Sequence, residues 1–106
     1  MAWFILFIAG LFETAWAVGM KYSNGFTKIY PTIYTFTAMA LSVFLLSISL
    51  KTLPVGTAYA VWTGIGAFGT AVLGIFLFGE SKDFVRLFFI SLIVVGIVGL
   101  KLFSKN

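Results

Sequence analysis

The sequence contains no cysteine and no histidine among its 106 residues. These absences exclude disulfide frameworks, thiolate chemistry and the common zinc sites, and we expect neither a bound metal nor a cofactor. The sequence also lacks a pairing of nucleophile with base and a phosphate-binding loop. It therefore does not favour an enzyme.

Charged residues are scarce as well, at 9% of the chain against 61% hydrophobic residues. A soluble domain carries about a quarter charged residues, so this composition indicates a protein that folds in the lipid bilayer. The net charge of +4 does not indicate nucleic-acid binding. The basic residues are single anchors between long apolar runs, whereas nucleic acid requires a clustered basic stripe.

Four apolar runs each approach the roughly 20 residues that a helix needs to cross a hydrocarbon core about 30 Å thick. Alternation of period two is absent, and lipid offers no partner to unpaired backbone groups, so the runs should be helices. We predict an all-α membrane protein with one four-helix domain over residues 1–106. The predicted spans are 2–20, 31–50, 55–78 and 84–103.

Particular residues mark the starts of the second and fourth spans. Pro31 suits a first helical turn, where a missing N–H costs little. Ser81 is the expected N-cap of the fourth span, and Asp83 beside it suits the positive end of the helix dipole.

Glycine is concentrated in the third and fourth spans, where small residues let membrane helices approach closely. In the third span these glycines could pack within one subunit or between subunits, and the sequence leaves both open. In the fourth, Gly96 and Gly99 form a small-residue stripe with Val95 and Val98. We expect a contact between subunits there.

Basic residues barely distinguish the two sides of the membrane. One side carries three of them and the other four, a difference too small to fix orientation. Two copies inserted oppositely would supply the inverted repeat that many transporters use, although other features could still fix one orientation. The two sets are Lys51, Lys101 and Lys105, and Lys21, Lys28, Lys82 and Arg86.

Glu13 is the one charged residue inside an apolar run. A carboxylate facing lipid would cost at least about 2.5 to 3.5 kcal/mol, so Glu13 should face an interior. Gly10 and Trp16 share its helical face. On the third span, one face is predicted to carry Tyr59, Trp62, Thr63 and Gly66. A structural hydrogen bond, a proton relay and a direct cation site all remain open for Glu13. The surrounding aromatic groups favour a cation.

Long stretches of the chain resemble the small multidrug resistance family of bacterial exporters, over essentially its whole length. Within that family the chain is most similar to the guanidinium-exporter subtype. The stretches that carry the family resemblance are GLFE (10–13), MKYSNGF (20–26) and LPVGTAYAVWTG (53–64), and those for the subtype are ETAWAVG (13–19), WTGIG (62–66) and GES (79–81).

The resemblance implies an antiparallel homodimer in the bacterial inner membrane, in which paired Glu13 side chains bind substrate or protons. It also implies that Ser42 forms a hydrogen bond near Glu13. On physical grounds alone, a lone serine in a membrane helix more often bonds its own backbone. The other roles that the resemblance implies are a pocket lined by Trp16, Tyr59 and Trp62, close packing at Gly10, and a dimer contact at Gly96 and Gly99.

The function implied by the resemblance is export of guanidinium and small guanidinyl cations in exchange for protons. Paired carboxylates suit guanidinium because it is planar, permanently charged near neutral pH, and able to donate two parallel hydrogen bonds. Two alternatives remain open. The protein could export hydrophobic quaternary ammonium compounds, or it could be a membrane scaffold that transports nothing.

Overall fold

A computed structural model describes residues 1–103 of the chain, and Lys105 lies outside the described residues. All four helices in that range are long and apolar enough to span a membrane. The predicted all-α fold with four spans is therefore confirmed. The helices are α1 (Ala2–Tyr22), α2 (Ile29–Ser49), α3 (Val55–Phe78) and α4 (Phe84–Leu102).

The helix ends differ from the predicted spans by at most two residues, and one predicted cap was wrong. Helix α2 begins at Ile29, so Pro31 lies in its first turn as expected. The N-cap of α4 is Asp83 rather than Ser81, because the Asp83 carboxylate accepts the N–H of Arg86 at 2.9 Å. That backbone hydrogen bond holds the pKa of Asp83 below its usual value. The Ser81 hydroxyl accepts the N–H of Asp83 at 3.3 Å.

The turn between α1 and α2 is tight and internally hydrogen-bonded. Ser23 is fully buried, and its hydroxyl donates to the Met20 carbonyl at 2.7 Å while accepting the Phe26 N–H at 3.1 Å. Asn24, Gly25 and Phe26 all have left-handed backbone, with φ between 51° and 72°. This short turn reverses the direction of the chain, and α2 packs along α1.

Helix α1 packs against both α2 and α3, and its buried residues Leu6 and Ala9 form a core with Val61 and Trp62 of α3. Helix α4 lies against α3, where a Cβ at Gly64 would sit 2.9 Å from Ile97 Cδ1. None of the residues of α4 is buried. The first three helices thus build the interior of the described chain, and α4 is attached to its outside.

Candidate functional site

Glu13 lies on the face of α1 that packs against α3. Its side chain is half-buried, and a Cβ added at Gly66 would overlap its carboxyl group. Its Oε1 atom is buried and has no hydrogen-bond partner among the described residues. Glu13 thus faces α3, as expected for a carboxylate that must avoid lipid. The absent side chain of Gly66 provides the space for its carboxyl group.

Gly10 and Thr14 bring α1 equally close to α3 on either side of Glu13. A Cβ at Gly10 would lie 2.5 Å from Ile65 Cγ2. Thr14 is buried and packs against Gly69, and its hydroxyl lies 3.3 Å from the carbonyl oxygens of Gly10 and Gly66. Small residues on both helices therefore create a close crossing at the depth of the carboxylate. The close packing expected at Gly10 is present.

A chain of side-chain hydrogen bonds connects all three inner helices beside Glu13. Trp62 Nε1 of α3 donates to Ser42 Oγ of α2 at 2.9 Å, and Ser42 donates to the Ala9 carbonyl of α1 at 2.7 Å. In an α-helix the Ala9 carbonyl is also the partner of the Glu13 N–H. The physical expectation that Ser42 bonds its own backbone was therefore wrong, since this serine is fully buried between helices. It makes no hydrogen bond to the Glu13 carboxylate within the described residues.

Trp16 follows Glu13 by about one turn and carries a second unsatisfied polar group. Its Nε1 is buried without a partner among residues 1–103. Buried donors and acceptors nearly always have partners, so an acceptor and a donor left free on neighbouring positions are unusual. Trp16 Nε1 and Glu13 Oε1, on residues three positions apart in α1, are thus two polar groups that a ligand could satisfy.

The aromatic face expected on α3 is split by the fold. Trp62 and Gly66 are buried, whereas Thr63 is exposed and Tyr59 is 58% exposed. The Tyr59 and Trp62 rings remain neighbours, with centroids 5.6 Å apart. Trp62 is thus part of the interior of one subunit, and Tyr59 extends the same aromatic pair onto its surface.

The glycines of α3 and α4 have different surroundings, and three glycines of α3 pack within the chain. Gly64, Gly66 and Gly69 contact side chains of the same chain, so packing within the subunit is confirmed for them. Gly96 and Gly99 have nothing within 4 Å of an added Cβ. The stripe on α4 is therefore open to a neighbour outside the described chain.

Charge near the site comes from Glu13 itself. Among the described residues the salt bridge joins Glu80, in the loop before α4, to Arg86 near the start of α4, with Arg86 Nη2 2.7 Å from Glu80 Oε1, and both residues lie well away from Glu13 in sequence. Over the same residues no group of His, Cys, Asp and Glu could hold a metal ion. A visiting cation or proton would therefore meet an uncompensated carboxylate.

Sequence reasoning missed two members of the site, Thr14 and Gly69, and gave Gly66 no role beside the carboxylate. The signal for Thr14 was its position directly after Glu13 in a helix. The signal for the two glycines was their spacing of three residues, which places them on one face of α3.

The chain is similar in sequence to known bacterial transporters. The sequence profile of the family described as Small Multidrug Resistance protein matches residues 1–93. A guanidinium exporter of Yersinia pseudotuberculosis is 62% identical over 104 residues, covering 98% of this chain and all of that protein. Guanidinium exporters of Proteus vulgaris and Salmonella typhimurium are 58% identical over 104 residues and 61% identical over 102 residues. The latter alignment covers 96% of this chain and 97% of that protein.

These relatives are bacterial and are named as exporters rather than enzymes. With four apolar helices, the chain is accordingly a multi-pass protein of the bacterial inner membrane. The carboxylate at membrane depth, the close helix crossing and the match over most of the sequence lead to one assignment: this chain belongs to the small multidrug resistance family of transporters.

Proposed function

We propose that this protein exports guanidinium and small substituted guanidinyl cations in exchange for protons. The observation that carries the proposal is the Glu13 carboxylate in the middle of a membrane-spanning helix, where one buried oxygen has no hydrogen-bond partner within residues 1–103. A group in that position gains from binding either a proton or a cation. The name shared by relatives about 60% identical supports guanidinium as that cation.

Guanidinium fits the groups around Glu13. Its N–H donors match a carboxylate in paired hydrogen bonds, and its flat face can stack on an indole ring. Trp16 supplies an indole ring about one turn from Glu13, and Trp62 supplies a second one that is hydrogen-bonded to Ser42. Tyr59 extends the Trp62 ring to the surface. In this proposal Ser42 holds Trp62 in place while Gly10 and Gly66 let α3 approach the carboxylate. The pocket thereby favours a small planar cation over a bulky one.

The proposed assembly is an antiparallel homodimer, with two copies inserted in opposite orientations. Gly96 and Gly99 leave open space on α4, where a second copy could pack closely. Such a dimer places two Glu13 side chains in one site between inverted subunits. Its two access states would then be equivalent, because exchanging the subunits converts one into the other.

Exchange follows from competition for the same carboxylates. Protons arriving from the acidic side displace the cation, and a new cation arriving from the cell displaces the protons. Two glutamates can release more than one proton per cation. Each net charge moved is then worth about 2.3 kcal/mol per 100 mV of membrane potential, which drives export.

Transport in reconstituted liposomes tests this function. The purified protein is reconstituted with a pH-sensitive dye inside, and guanidinium or tetraethylammonium is added outside at matched concentration. We expect guanidinium to drive proton movement, with tetraethylammonium much weaker. A stronger response to tetraethylammonium would indicate a quaternary ammonium exporter instead. If neither cation caused any proton movement, the result would contradict transport and favour a membrane scaffold.

A further inference from the structure

Two consecutive residues of α1 enclose the backbone of α3 at the candidate site. Glu13 packs against Gly66, and Thr14 packs against Gly69, which lies three residues further along α3. Neighbouring residues in a helix point about 100° apart, so a helix contacted closely by both is held in the angle between them. The position of Glu13 relative to α3 therefore depends on where Thr14 sits.

The hydroxyl of Thr14 links the two helices at the same residue that makes room for the carboxylate. Its oxygen lies 3.3 Å from the Gly66 carbonyl oxygen and 3.3 Å from that of Gly10 in its own helix. Both distances are long for an O–H···O bond, as expected when one proton is shared between two carbonyls. Thr14 is only 6% exposed, so water does not compete for this hydroxyl.

We propose that Thr14 is a positioning residue for Glu13. Its hydroxyl fixes the rotation and register of α1 against the Gly66 backbone, and its methyl group, 3.1 Å from an added Cβ at Gly69, fixes the separation. The carboxylate is thereby held against Gly66 and away from lipid. Because Glu13 is the proposed site of exchange, the importance of this device for transport rests on the proposed function.

Thr35 provides a matched control elsewhere in the same fold. It is also a fully buried threonine that packs against a glycine of α1, since a Cβ at Gly19 would lie 2.6 Å from its Oγ1. Its hydroxyl, however, donates to the Pro31 carbonyl of its own helix at 2.7 Å. Removing the hydroxyl of Thr35 thus repeats the chemical change of removing that of Thr14 without breaking a link between α1 and α3.

The test measures how readily Glu13 is reached, in the absence of substrate. Dicyclohexylcarbodiimide, an apolar reagent for carboxyl groups in membranes, is reacted with the reconstituted protein at fixed pH, and modification of Glu13 is followed by peptide mass spectrometry. We expect Thr14→Val and Thr14→Ala to raise the labelling rate about two- to fivefold, the range of a modest hydrogen bond. Thr14→Ser, which keeps the hydroxyl and loses the methyl group, should be labelled more slowly than either hydroxyl-free variant.

The controls separate positioning from loss of stability and from the proposed function. Thr35→Val should leave the labelling rate of Glu13 unchanged. The inference is overturned if both hydroxyl-free Thr14 variants are labelled at the original rate, if Thr14→Ser is labelled as fast as Thr14→Val, or if Thr35→Val accelerates labelling equally. Protection of Glu13 by added guanidinium is measured in parallel. Its absence in the unmodified protein would contradict the proposed substrate while the positioning result still stood.

Discussion

The crossing of α1 with α3 and the outer face of α4 use glycine in opposite ways. At the crossing, the Glu13 carboxyl group occupies the space beside Gly66, and the Thr14 side chain occupies the space beside Gly69. On α4, Gly96 and Gly99 face open space, and none of the helix's residues is buried. The same residue type thus completes a site within the chain in one place and leaves a surface in the other.

In the proposed function, this difference assigns substrate binding to the crossing of α1 with α3 and dimer contact to α4. Polar groups are concentrated where three helices meet, in the Trp62–Ser42–Ala9 hydrogen bonds and the unpartnered oxygen of Glu13. Helix α4 is the most apolar of the four spans. It packs against α3, Ile97 contacts the core cluster, and Lys101 lies over the Trp3 ring. Substitutions at the crossing should therefore alter chemistry, and substitutions on α4 should alter assembly.

Among substitutions that leave Glu13 itself unchanged, the largest effect is expected from a side chain at Gly66. In Gly66→Val the added Cβ must displace the Glu13 carboxyl group, and displacing a reacting group by about 1 Å can cost on the order of 100-fold in rate. Guanidinium-driven proton flux in liposomes measures the loss. Gly56→Val is the matched control, because the same helix has open space there. If Gly66→Val retained the same flux as Gly56→Val, Gly66 would not provide the space that the Glu13 carboxyl group needs.

Bulk on the open face of α4 should affect assembly next. We expect the double substitution Gly96→Leu with Gly99→Leu to weaken the dimer by about 1 to 3 kcal/mol, as overpacking does at a close contact. Dimer fraction in lipid, measured by single-molecule photobleaching at several protein densities, reports this change. Val94→Phe adds bulk to the opposite side of α4 and should have a smaller effect. An unchanged dimer fraction in the double variant would remove this face from the proposed interface.

A smaller effect is expected from the hydrogen bond between Trp62 and Ser42. Trp62→Phe keeps an aromatic ring but removes the N–H that donates to Ser42 Oγ at 2.9 Å. One neutral hydrogen bond contributes about 0.5 to 1.5 kcal/mol to stability, and the smaller ring adds a packing loss. The midpoint of denaturant unfolding in detergent checks this. Ser42→Ala should also lower stability, because it leaves the buried Trp62 N–H without its acceptor and removes the second donor to the Ala9 carbonyl.

The smallest effect belongs to Asp83 at the start of α4. The Arg86 N–H lowers the pKa of this carboxyl in the folded chain, so its contribution is fully present above its usual pKa of 3.8 and is lost as the pH falls through the lower folded value. Asp83→Asn should remove this acid-dependent part of stability and change little at neutral pH. Thermal unfolding followed at several pH values below 5 measures it. Identical acid dependence in the two proteins would contradict the assigned cap.

Composition and spacing predicted the features of this fold that follow from contact with the lipid bilayer, namely the four spans and the inward position of Glu13. The length of each apolar run decides that a helix spans the bilayer, and a carboxylate in such a run must avoid lipid, so the spans and the inward position of Glu13 follow from the sequence. The choice between Ser81 and Asp83 as a cap does not, because both residues can accept an amide proton and lie two positions apart.

The contacts that complete the site depend on how the helices are rotated against each other. Gly66 meets Glu13, and Ser42 joins Trp62 to Ala9, only because α1, α2 and α3 settle at particular angles. Those angles are set by many apolar contacts along whole helices rather than by local sequence. The pattern on α3 showed which residues share a face, but it did not show that Trp62 would be buried and Tyr59 exposed.

The most direct test of the account is neutralisation of Glu13 in the assembled protein. Glu13→Gln keeps the shape of the side chain and removes the group on which we propose that protons and cations compete. Glu80→Gln makes the same change in the exposed loop. Guanidinium-driven proton movement is measured for both in liposomes, after dimer assembly has been checked. We predict that Glu13→Gln assembles but moves no protons, whereas Glu80→Gln retains exchange. Proton-coupled guanidinium transport by Glu13→Gln would contradict the proposal that protons and guanidinium exchange on the Glu13 carboxylate.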